Sequence, residues 1–228
     1  MPPILTCPVL ESLDQSAVNL LIERGVVRDL ERNDFLHLEG EPSDGRIHIV
    51  LAGVIKLSAR DADGRETILG LAFEGDLLGD VAALGRGTHP YDAVAAIPSS
   101  LLGVDADLFF SHVLRHPDAA RALASSLAER TSRIAQAAAE RSTSEVPARL
   151  ASRLLELAEL LGRMHGDSIE LELPFAQEEL GRLAGMCRES ACKTLRRFQR
   201  QGILDYRGKK LRIFRPDSLE RIRCAGRA

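Results

Sequence analysis

The spacing of apolar positions changes twice along the 228-residue chain. Residues 11–25 place apolar side chains on one helical face and end at Gly25, so they predict a short helix. From Val26 to Phe110 the pattern becomes short runs typical of strands, separated about every 8 to 12 residues by turns rich in Gly and Asp. Many short strands at this spacing predict a β-barrel or jelly roll.

A long helical run is predicted from His116 to about Ser142. Its small and apolar side chains recur at alternating spacings of four and three, the heptad pattern of a coiled coil. This pattern favours a dimerisation helix over a helix that lies on the barrel. The run Ser144-Glu145-Val146-Pro147 then predicts a hinge, because proline denies a helix its regular hydrogen bonding. The heptad positions are Ala120, Ala124, Leu127, Thr131, Ile134 and Ala138.

Beyond the hinge, the pattern predicts a winged helix-turn-helix, in which two helices joined by a three-residue turn precede a basic hairpin. An amphipathic helix and a short strand lead into that motif. The predicted elements are a helix over 148–165, a strand over 168–173, a helix over 177–184, a turn at 185–187, a helix over 188–201 and a ribbon over 203–214 that turns at 207–210.

The charge of the chain is unevenly distributed. Residues 188–228 carry 13 Lys and Arg against 4 Asp and Glu, a net +9, whereas the rest of the chain carries −12 within a total of −3. Such asymmetry suggests that one end meets a polyanion, although a solvated basic tail has the same composition. The 45% hydrophobic content excludes a disordered chain, and no apolar run of about 20 residues predicts a membrane span.

The start of the second predicted helix carries side chains suited to reading DNA bases. Arg188 and Lys193 are donors for guanine, Glu189 is an acceptor for the cytosine amine, and Ser190 suits a base or a phosphate. Three of these four side chains suit G·C pairs. The alternatives are a charged amphipathic helix on a small α/β domain, or a small-molecule-binding module whose basic end is incidental. The hairpin adds Arg207, Lys209 and Lys210 around Gly208, where a compact turn suits the phosphate backbone.

Several stretches together resemble the CRP/FNR family of transcription regulators over nearly the whole chain. They are Phe35-Leu-His-Leu-Glu-Gly-Glu-Pro, Ile49-Val-Leu-Ala-Gly-Val-Ile-Lys-Leu, Asp63-Gly-Arg-Glu-Thr-Ile-Leu, Glu74-Gly-Asp-Leu-Leu-Gly-Asp and Gln177-Glu-Glu-Leu-Gly-Arg-Leu-Ala-Gly-Met-Cys-Arg-Glu-Ser. The resemblance implies an α+β fold. Its parts would be a cyclic-nucleotide-binding-type jelly-roll barrel over 1–114, a dimerisation helix over 115–143 and a winged helix-turn-helix over 144–228.

The resemblance also implies how the chain would act. It implies a bacterial homodimer that reads a palindrome in double-stranded DNA and works with RNA polymerase. Gln177, Arg207, Gly208 and Lys209 match positions that touch phosphates, and Arg188, Glu189 and Lys193 match base-reading positions. Because Lys193 stands where readers of TGTGA half-sites usually carry arginine, we expect a related half-site that is relaxed at one position.

The effector site that the resemblance implies is degenerate in this sequence. Gly79-Asp80 stands where cyclic-AMP-binding relatives carry Gly-Glu, and Tyr91-Asp92 stands where they carry Arg-Ser. Arg86 is the one nearby cation predicted to restore the lost positive charge. Ile134 occupies a position where a hydroxyl side chain reaches the adenine. We therefore expect that cyclic AMP does not control the protein, with a cyclic-AMP-responsive regulator as the alternative.

Other sensing chemistries leave fewer candidates. An iron–sulfur cluster needs about four thiolates, but Cys7 is alone in the N-terminal region. Haem is a second alternative through His37, His48 or His89, although Gly79 and Val81 stand where a haem-containing relative places ligands. Cys187 and Cys192 are the redox candidates, because flanking cations favour a reactive thiolate. For Cys187 we favour packing as a small hydrophobe between the helices.

The sequence shows no catalytic or metal-binding pattern. It contains no nucleophile–base pair, no ligand set at metal-binding spacing and no phosphate-binding loop, so we expect no enzyme and no certain cofactor. A cupin-type enzyme would need clustered histidines, and the histidines are dispersed. The N-terminus lacks the pattern of a secretory signal, and four cysteines make no disulfide framework, so we expect a cytoplasmic protein.

Overall fold

Two four-stranded sheets dominate the first part of the chain in the computed structural model, which describes residues 6–61, 64, 66–85 and 87–226. The strands are β1 Val26–Leu30, β2 Phe35–His37, β3 Arg46–Ala52, β4 Ile55–Arg60, β5 Glu66–Ala72, β6 Leu77–Leu78, β7 Asp92–Ala95 and β8 Ser99–Asp105. The sheet orders are β1-β8-β3-β6 and β2-β7-β4-β5, and the register of β1 against β8 runs from Val26↔Gly103 to Leu30↔Ser99.

Alternation along β3 divides the core of this part into two clusters. Ile47 and Ile49 point to one face of their sheet, where they pack with the helices, and Val50 points to the other face. There it joins Ile55 and Leu101 in a cluster that draws side chains from both sheets. This two-layer arrangement is the predicted jelly roll. The helices here are α1 Pro8–Glu11, α2 Gln15–Arg24, α3 Asp80–Leu84 and α4 Ala106–Val113.

The predicted N-terminal helix begins later than expected. The Asp14 side chain accepts a hydrogen bond from the Ala17 N–H at 2.8 Å and caps α2 there. Glu11 instead ends the separate helix α1, which the periodicity did not reveal because four residues are too few to show a period. α3 has only five residues and was missed for the same reason, whereas α4 begins inside the region predicted as strands up to Phe110, so that prediction is wrong from Ala106 onward.

The long helix α5 spans Pro117–Thr143, close to its predicted extent. Ala119 and Leu123 are buried in the core of the first part. The heptad side chains Ala124, Thr131, Ile134 and Ala138 are exposed. Thus the helix buries one side in its own chain and leaves most of its predicted seam open.

Four helices and a small sheet form the rest of the chain. The elements are α6 Val146–Leu161, β9 Arg163–His165, β10 Ser168–Glu172, α7 Gln177–Leu183, α8 Arg188–Arg200, β11 Leu204–Arg207, β12 Lys210–Ile213 and α9 Pro216–Ala225. The sheet order is β11-β12-β10-β9, and Phe175, Leu195 and Phe198 are fully buried in the core of this part. This is the predicted winged helix-turn-helix.

Two corrections apply to the predictions for this region. The helix predicted to reach residue 165 ends at Leu161, since Gly162 follows and residues 163–165 form β9. α9 packs on α6 and was not predicted. The helix is interrupted between Thr143 and Val146, as expected. Pro147 lies in the first turn of α6, where a proline is well tolerated.

By their contacts, the described residues form two units. One contains residues up to 60 with 69–133, and the other contains 61–68 with the chain from 134 onward. The division into parts ending at 114 and 143 stays a prediction. Within the described ranges, no helix combines the length and apolar character needed to cross a bilayer.

Candidate nucleic-acid interface

The turn between α7 and α8 determines where the second helix begins. Gly185 has a φ of +63°, a left-handed conformation that favours glycine. The Gly185 N–H bonds to the Arg182 carbonyl at 3.1 Å, and the Met186 N–H bonds to the Gly181 carbonyl at 2.9 Å. Cys187 then returns to extended backbone as the N-cap, and its carbonyl accepts from the Ala191 N–H at 3.1 Å. These bonds direct α8 away from α7 after three residues.

α8 has one buried face and one charged face. Ala191, Leu195 and Phe198 are fully buried against the unit's core. Arg188, Glu189 and Lys193 are exposed on the opposite side, so the structure places the predicted base readers together. One shallow groove is lined by Arg188, Glu189, Cys192, Lys193, Arg196 and Arg200.

The first turn of α8 holds Glu189 ionised. The helix N–H of Glu189 lowers the pKa of its carboxyl, and the Cys187 thiol and Arg188 lower it further. The same thiol lies 3.2 Å from the Ser190 Oγ, so it donates to one of two acceptors at a time. An ionised carboxylate at this position is a strong acceptor for an amine.

The cysteines of this surface are partly accessible. Cys187 is exposed, so the interpretation that it packs between the helices is wrong. Cys192 is half-buried in the groove beside Lys193. Cys7, by contrast, is buried in the core of the first unit, where burial raises the pKa of its thiol.

The wing is attached to α8 and to β10. Gln199 donates from its Nε2 to the Asp205 Oδ1 at 3.1 Å and to the Tyr206 carbonyl at 3.2 Å. The Lys209 carbonyl accepts from the Leu173 N–H at 2.8 Å, which fixes the turn that follows Gly208. Lys209 is partly exposed there.

Two further predicted phosphate contacts have different surroundings. Arg207 forms an exposed ion pair with Asp205 at 3.0 Å, so part of its charge is already matched within the wing. Gln177 lies in the first turn of α7 and is partly exposed. Lys209 forms no such ion pair within the described part of the chain, and Gln177 is uncharged.

The predicted effector residues in the first unit form internal contacts. Gly79 has a φ of +83°, and a Cβ there would lie 2.6 Å from the Arg46 carbonyl, so only glycine fits. Asp80 is fully buried and pairs with Arg130 at 2.5 Å. Burial opposes the charge of Arg130, but Asp80 raises its pKa above the usual value. Arg130 was missed by sequence reasoning, although it stands one helical turn before Ile134.

Asp92 also has its own cation. Its Oδ1 accepts from the Glu39 N–H at 2.8 Å, and its Oδ2 lies 3.4 Å from the Arg60 Nε. The expectation that only Arg86 supplies a cation nearby is wrong, since Arg60 does so; Arg86 itself lies outside the described residues. Tyr91 is buried, and burial raises the pKa of its hydroxyl. Ile134 belongs to the second unit and is 36% exposed on α5.

These residues do not fit a cyclic nucleotide phosphate. A buried phenol and an aspartate stand where the resemblance implies a cation and a hydroxyl. Asp92 is acidic and already pairs with Arg60, so this pair offers no free positive charge to a phosphate.

The three barrel histidines are buried. The His37 and His89 rings stack with centroids 3.6 Å apart and an angle of 10°. Parallel rings do not aim their lone pairs at one centre, and no group of three or more metal-binding side chains occurs in the described part of the chain. Burial lowers the pKa of His37 to about 3 and also lowers that of His48, which lies 3.1 Å from Asp44.

Comparisons with known proteins match both halves of the chain. Residues 27–116 match the cyclic nucleotide-binding domain family, and residues 148–222 match the Crp-like helix-turn-helix domain family. A CRP-like cAMP-activated global transcriptional regulator of Mycobacterium tuberculosis is 28% identical over 213 residues, which are 93% of this chain and 95% of that protein.

The fold is also similar to that of solved structures. FixK2 from Bradyrhizobium japonicum superposes with a TM-score of 0.77 and 21% identity, covering 87% of this chain and 96% of that one. TTHA1359, a CRP/FNR family transcriptional regulator from Thermus thermophilus, superposes with a TM-score of 0.72 and 23% identity, covering 89% and 100%.

Proposed function

Because the chain belongs to the CRP/FNR family of DNA-binding transcription regulators, we propose that it reads a palindromic DNA site as a homodimer. That family consists of regulators rather than enzymes. We place its action in the cytoplasm together with RNA polymerase, on the strength of the family alone.

The observation that supports the proposal is the charged face of α8. Arg188, Glu189 and Lys193 are exposed in its first two turns, while the opposite face is buried. In a helix-turn-helix these turns enter the major groove. Arg188 and Lys193 would donate to guanine N7 and O6, and Glu189 would accept from cytosine N4. Ser190, Gln177, Gly208 and Lys209 would contact the flanking backbone, with Arg207 as a weaker contact.

The exposed seam of α5 supports the homodimer. Its 27 residues extend about 40 Å, and the small side chains of Ala124 and Ala138 allow two backbones to approach. Two copies related by a twofold axis would set their α8 helices about 34 Å apart, which is one turn of DNA.

The same proposal excludes cyclic AMP as the effector. The M. tuberculosis relative is described as cAMP-activated, which favours the alternative. The side chains at these positions outweigh it, because Asp92 is an acid already paired with Arg60 and Tyr91 is a buried uncharged phenol, so neither offers a cation to a phosphate. Titration calorimetry with cyclic AMP is expected to show no binding at micromolar ligand, and micromolar affinity would overturn this part of the proposal.

Redox control through Cys187 or Cys192 is a separate part of the proposal. Both thiols lie beside the base readers, and oxidation to a sulfinic or sulfonic acid would add negative charge there. The test measures the DNA affinity of wild type, Cys187→Ser and Cys192→Ser before and after treatment with peroxide. Protection by one serine variant identifies the sensitive thiol, and equal loss in all three proteins removes both.

Selection of binding sites from random duplexes tests the central claim. We expect TGTGA-related half-sites arranged as a palindrome, with one relaxed position. Selected sites without paired G·C positions would refute the assignment. Alanine substitution of Arg188 is expected to cost about 1–3 kcal/mol of operator binding.

A further inference from the structure

One arginine joins two helix ends within the second unit. Arg149 lies on α6, and its guanidinium reaches the end of α5 and the end of α7. We propose that Arg149 is a positioning residue that sets the orientation of α8 for base reading. The inference rests on the proposed reading of DNA by α8.

Three hydrogen bonds define this contact. Arg149 donates from Nη1 to the Ser144 carbonyl at 2.7 Å, from Nε to the Ala184 carbonyl at 3.1 Å and from Nη2 to the Gly185 carbonyl at 3.3 Å. Carbonyls just past a helix end lack an intrahelical partner. They also carry the negative end of the helix dipole, so a cation stabilises both ends at once.

The contact needs the shape of arginine. A guanidinium presents five N–H donors in a rigid plane, whereas the lysine ammonium is a single point on a flexible stem. The base of the arginine is fixed, because its backbone N–H bonds to the Glu145 carbonyl at 3.1 Å and the next residue, Leu150, is fully buried. Arg149 therefore holds its three acceptors from a rigid helix.

The turn to which Arg149 bonds lies directly before the proposed base readers. The Gly185 carbonyl belongs to the peptide that precedes Met186, and Cys187 follows as the N-cap of α8. Arg141 of α5 covers the same turn, since a Cβ at Gly185 would lie 3.0 Å from the Arg141 Cγ. A shift of the turn would thus carry Arg188 out of register with its base pair.

The test compares Arg149→Met and Arg149→Lys with wild type on a selected operator duplex and on a scrambled duplex at the same salt concentration. We expect operator affinity to fall about tenfold in Arg149→Met, and by somewhat less in Arg149→Lys. Affinity for the scrambled duplex should stay within about twofold, because phosphate contacts tolerate a small rotation. The control is Leu150→Val, which weakens the same helix without removing a bond to the turn.

Hydrogen exchange without DNA measures the contact directly. The amides of residues 185–187 should exchange about tenfold faster in Arg149→Met than in Leu150→Val. An unchanged operator-to-scrambled ratio in Arg149→Met, or an equal loss of that ratio in Leu150→Val, would overturn the inference. If wild type itself does not discriminate the duplexes, the proposed function fails, and the exchange rates still decide whether Arg149 holds the turn.

Discussion

Under the proposed function, lysine at position 193 would limit how sharply α8 reads one base pair. Its exposed ammonium would reach guanine from one point, whereas an arginine fork would bond N7 and O6 together. Single residues also determine contacts in the barrel, where Asp80 and Asp92 each pair with a specific arginine. At this scale the identity of one side chain decides whether a base, a phosphate or a neighbouring residue is bound.

Lys193→Arg should sharpen sequence discrimination. We expect a gain of about tenfold in the preference for the matching G·C pair over other pairs at that position. Competition binding with operators that vary at each base pair measures this. Lys210→Arg on the wing makes the same side-chain change away from the bases and should leave the preference unaltered. A gain spread evenly over all positions would contradict the assignment of Lys193.

The buried histidines predict a loss of stability in acid. The pKa of His37 is about 3 in the folded chain, lowered first by burial and then by His89 and His48. Unfolded histidine binds its proton near pH 6.5, so above that pH the lowered pKa of His37 does not reduce the free energy of unfolding. As the pH falls from 6.5 towards 3, only the unfolded state is protonated, and the free energy of unfolding should drop by roughly 3–5 kcal/mol.

Urea unfolding at several pH values tests this against His37→Leu. The variant should show a shallower decline of stability, by up to about 1.4 kcal/mol per pH unit between pH 6 and 4. His48 and His89 still contribute in both proteins, because burial lowers their pKa as well. Parallel pH profiles for wild type and variant would show that His37 takes up no proton on unfolding, so that its pKa in the folded chain is not lowered.

At the scale of elements, α5 serves two surfaces. Ala119 and Leu123 hold it to its own barrel, and the heptad positions stay exposed along another face. The wing also has an attached side and an exposed side. Gln199 and the Lys209 carbonyl attach it to its neighbours, and its basic side chains point to solvent. An element whose inward face is already satisfied presents its outward face in a defined orientation.

Ile134→Lys should dissociate the homodimer. A charge in the apolar seam has no counter-ion across the twofold axis, so we expect dimer affinity to fall roughly 100-fold or more. Sedimentation equilibrium measures the association, and operator binding should fall with it. Ser132→Lys introduces the same charge on an exposed position off the seam and should leave the dimer intact. A fully dimeric Ile134→Lys protein would assign dimerisation to another surface.

For the whole molecule, the charge is divided between its two ends. The basic surplus beyond residue 187 belongs to the unit that carries α8 and the wing, and the acidic surplus lies in the rest of the chain. This division concentrates attraction for DNA at one end and discourages non-specific contact by the other.

DNA binding should therefore depend steeply on salt. Removing one phosphate contact reduces the slope of log K against log salt by about 1, so Lys209→Ala should reduce it by about 2 in a homodimer. The slope is measured by titration over several salt concentrations. Arg207→Ala should change it less, since Asp205 already pairs with Arg207. Equal slopes for wild type and Lys209→Ala would remove the wing turn from the phosphate contacts.

Local pattern alone identified most elements of this protein. Strand alternation, the heptad spacing and the helix-turn-helix order repeat over a few residues, so they are visible without knowing how the chain folds. The predicted base readers Arg188, Glu189 and Lys193 were identified for the same reason, since they share one short helix, and their role stays a prediction. Very short helices such as α1 escaped, because a single turn is too short for the helical period to repeat.

Only the tertiary structure decided which distant residues meet. Asp80 and Arg130 are 50 positions apart, and Asp92 and Arg60 are 32 apart; no local period relates them. The stack of His37 on His89 and the bonds from Arg149 to two helix ends likewise depend on how elements cross. Sequence spacing reports the faces of single elements, whereas charge pairing and burial are properties of faces brought together.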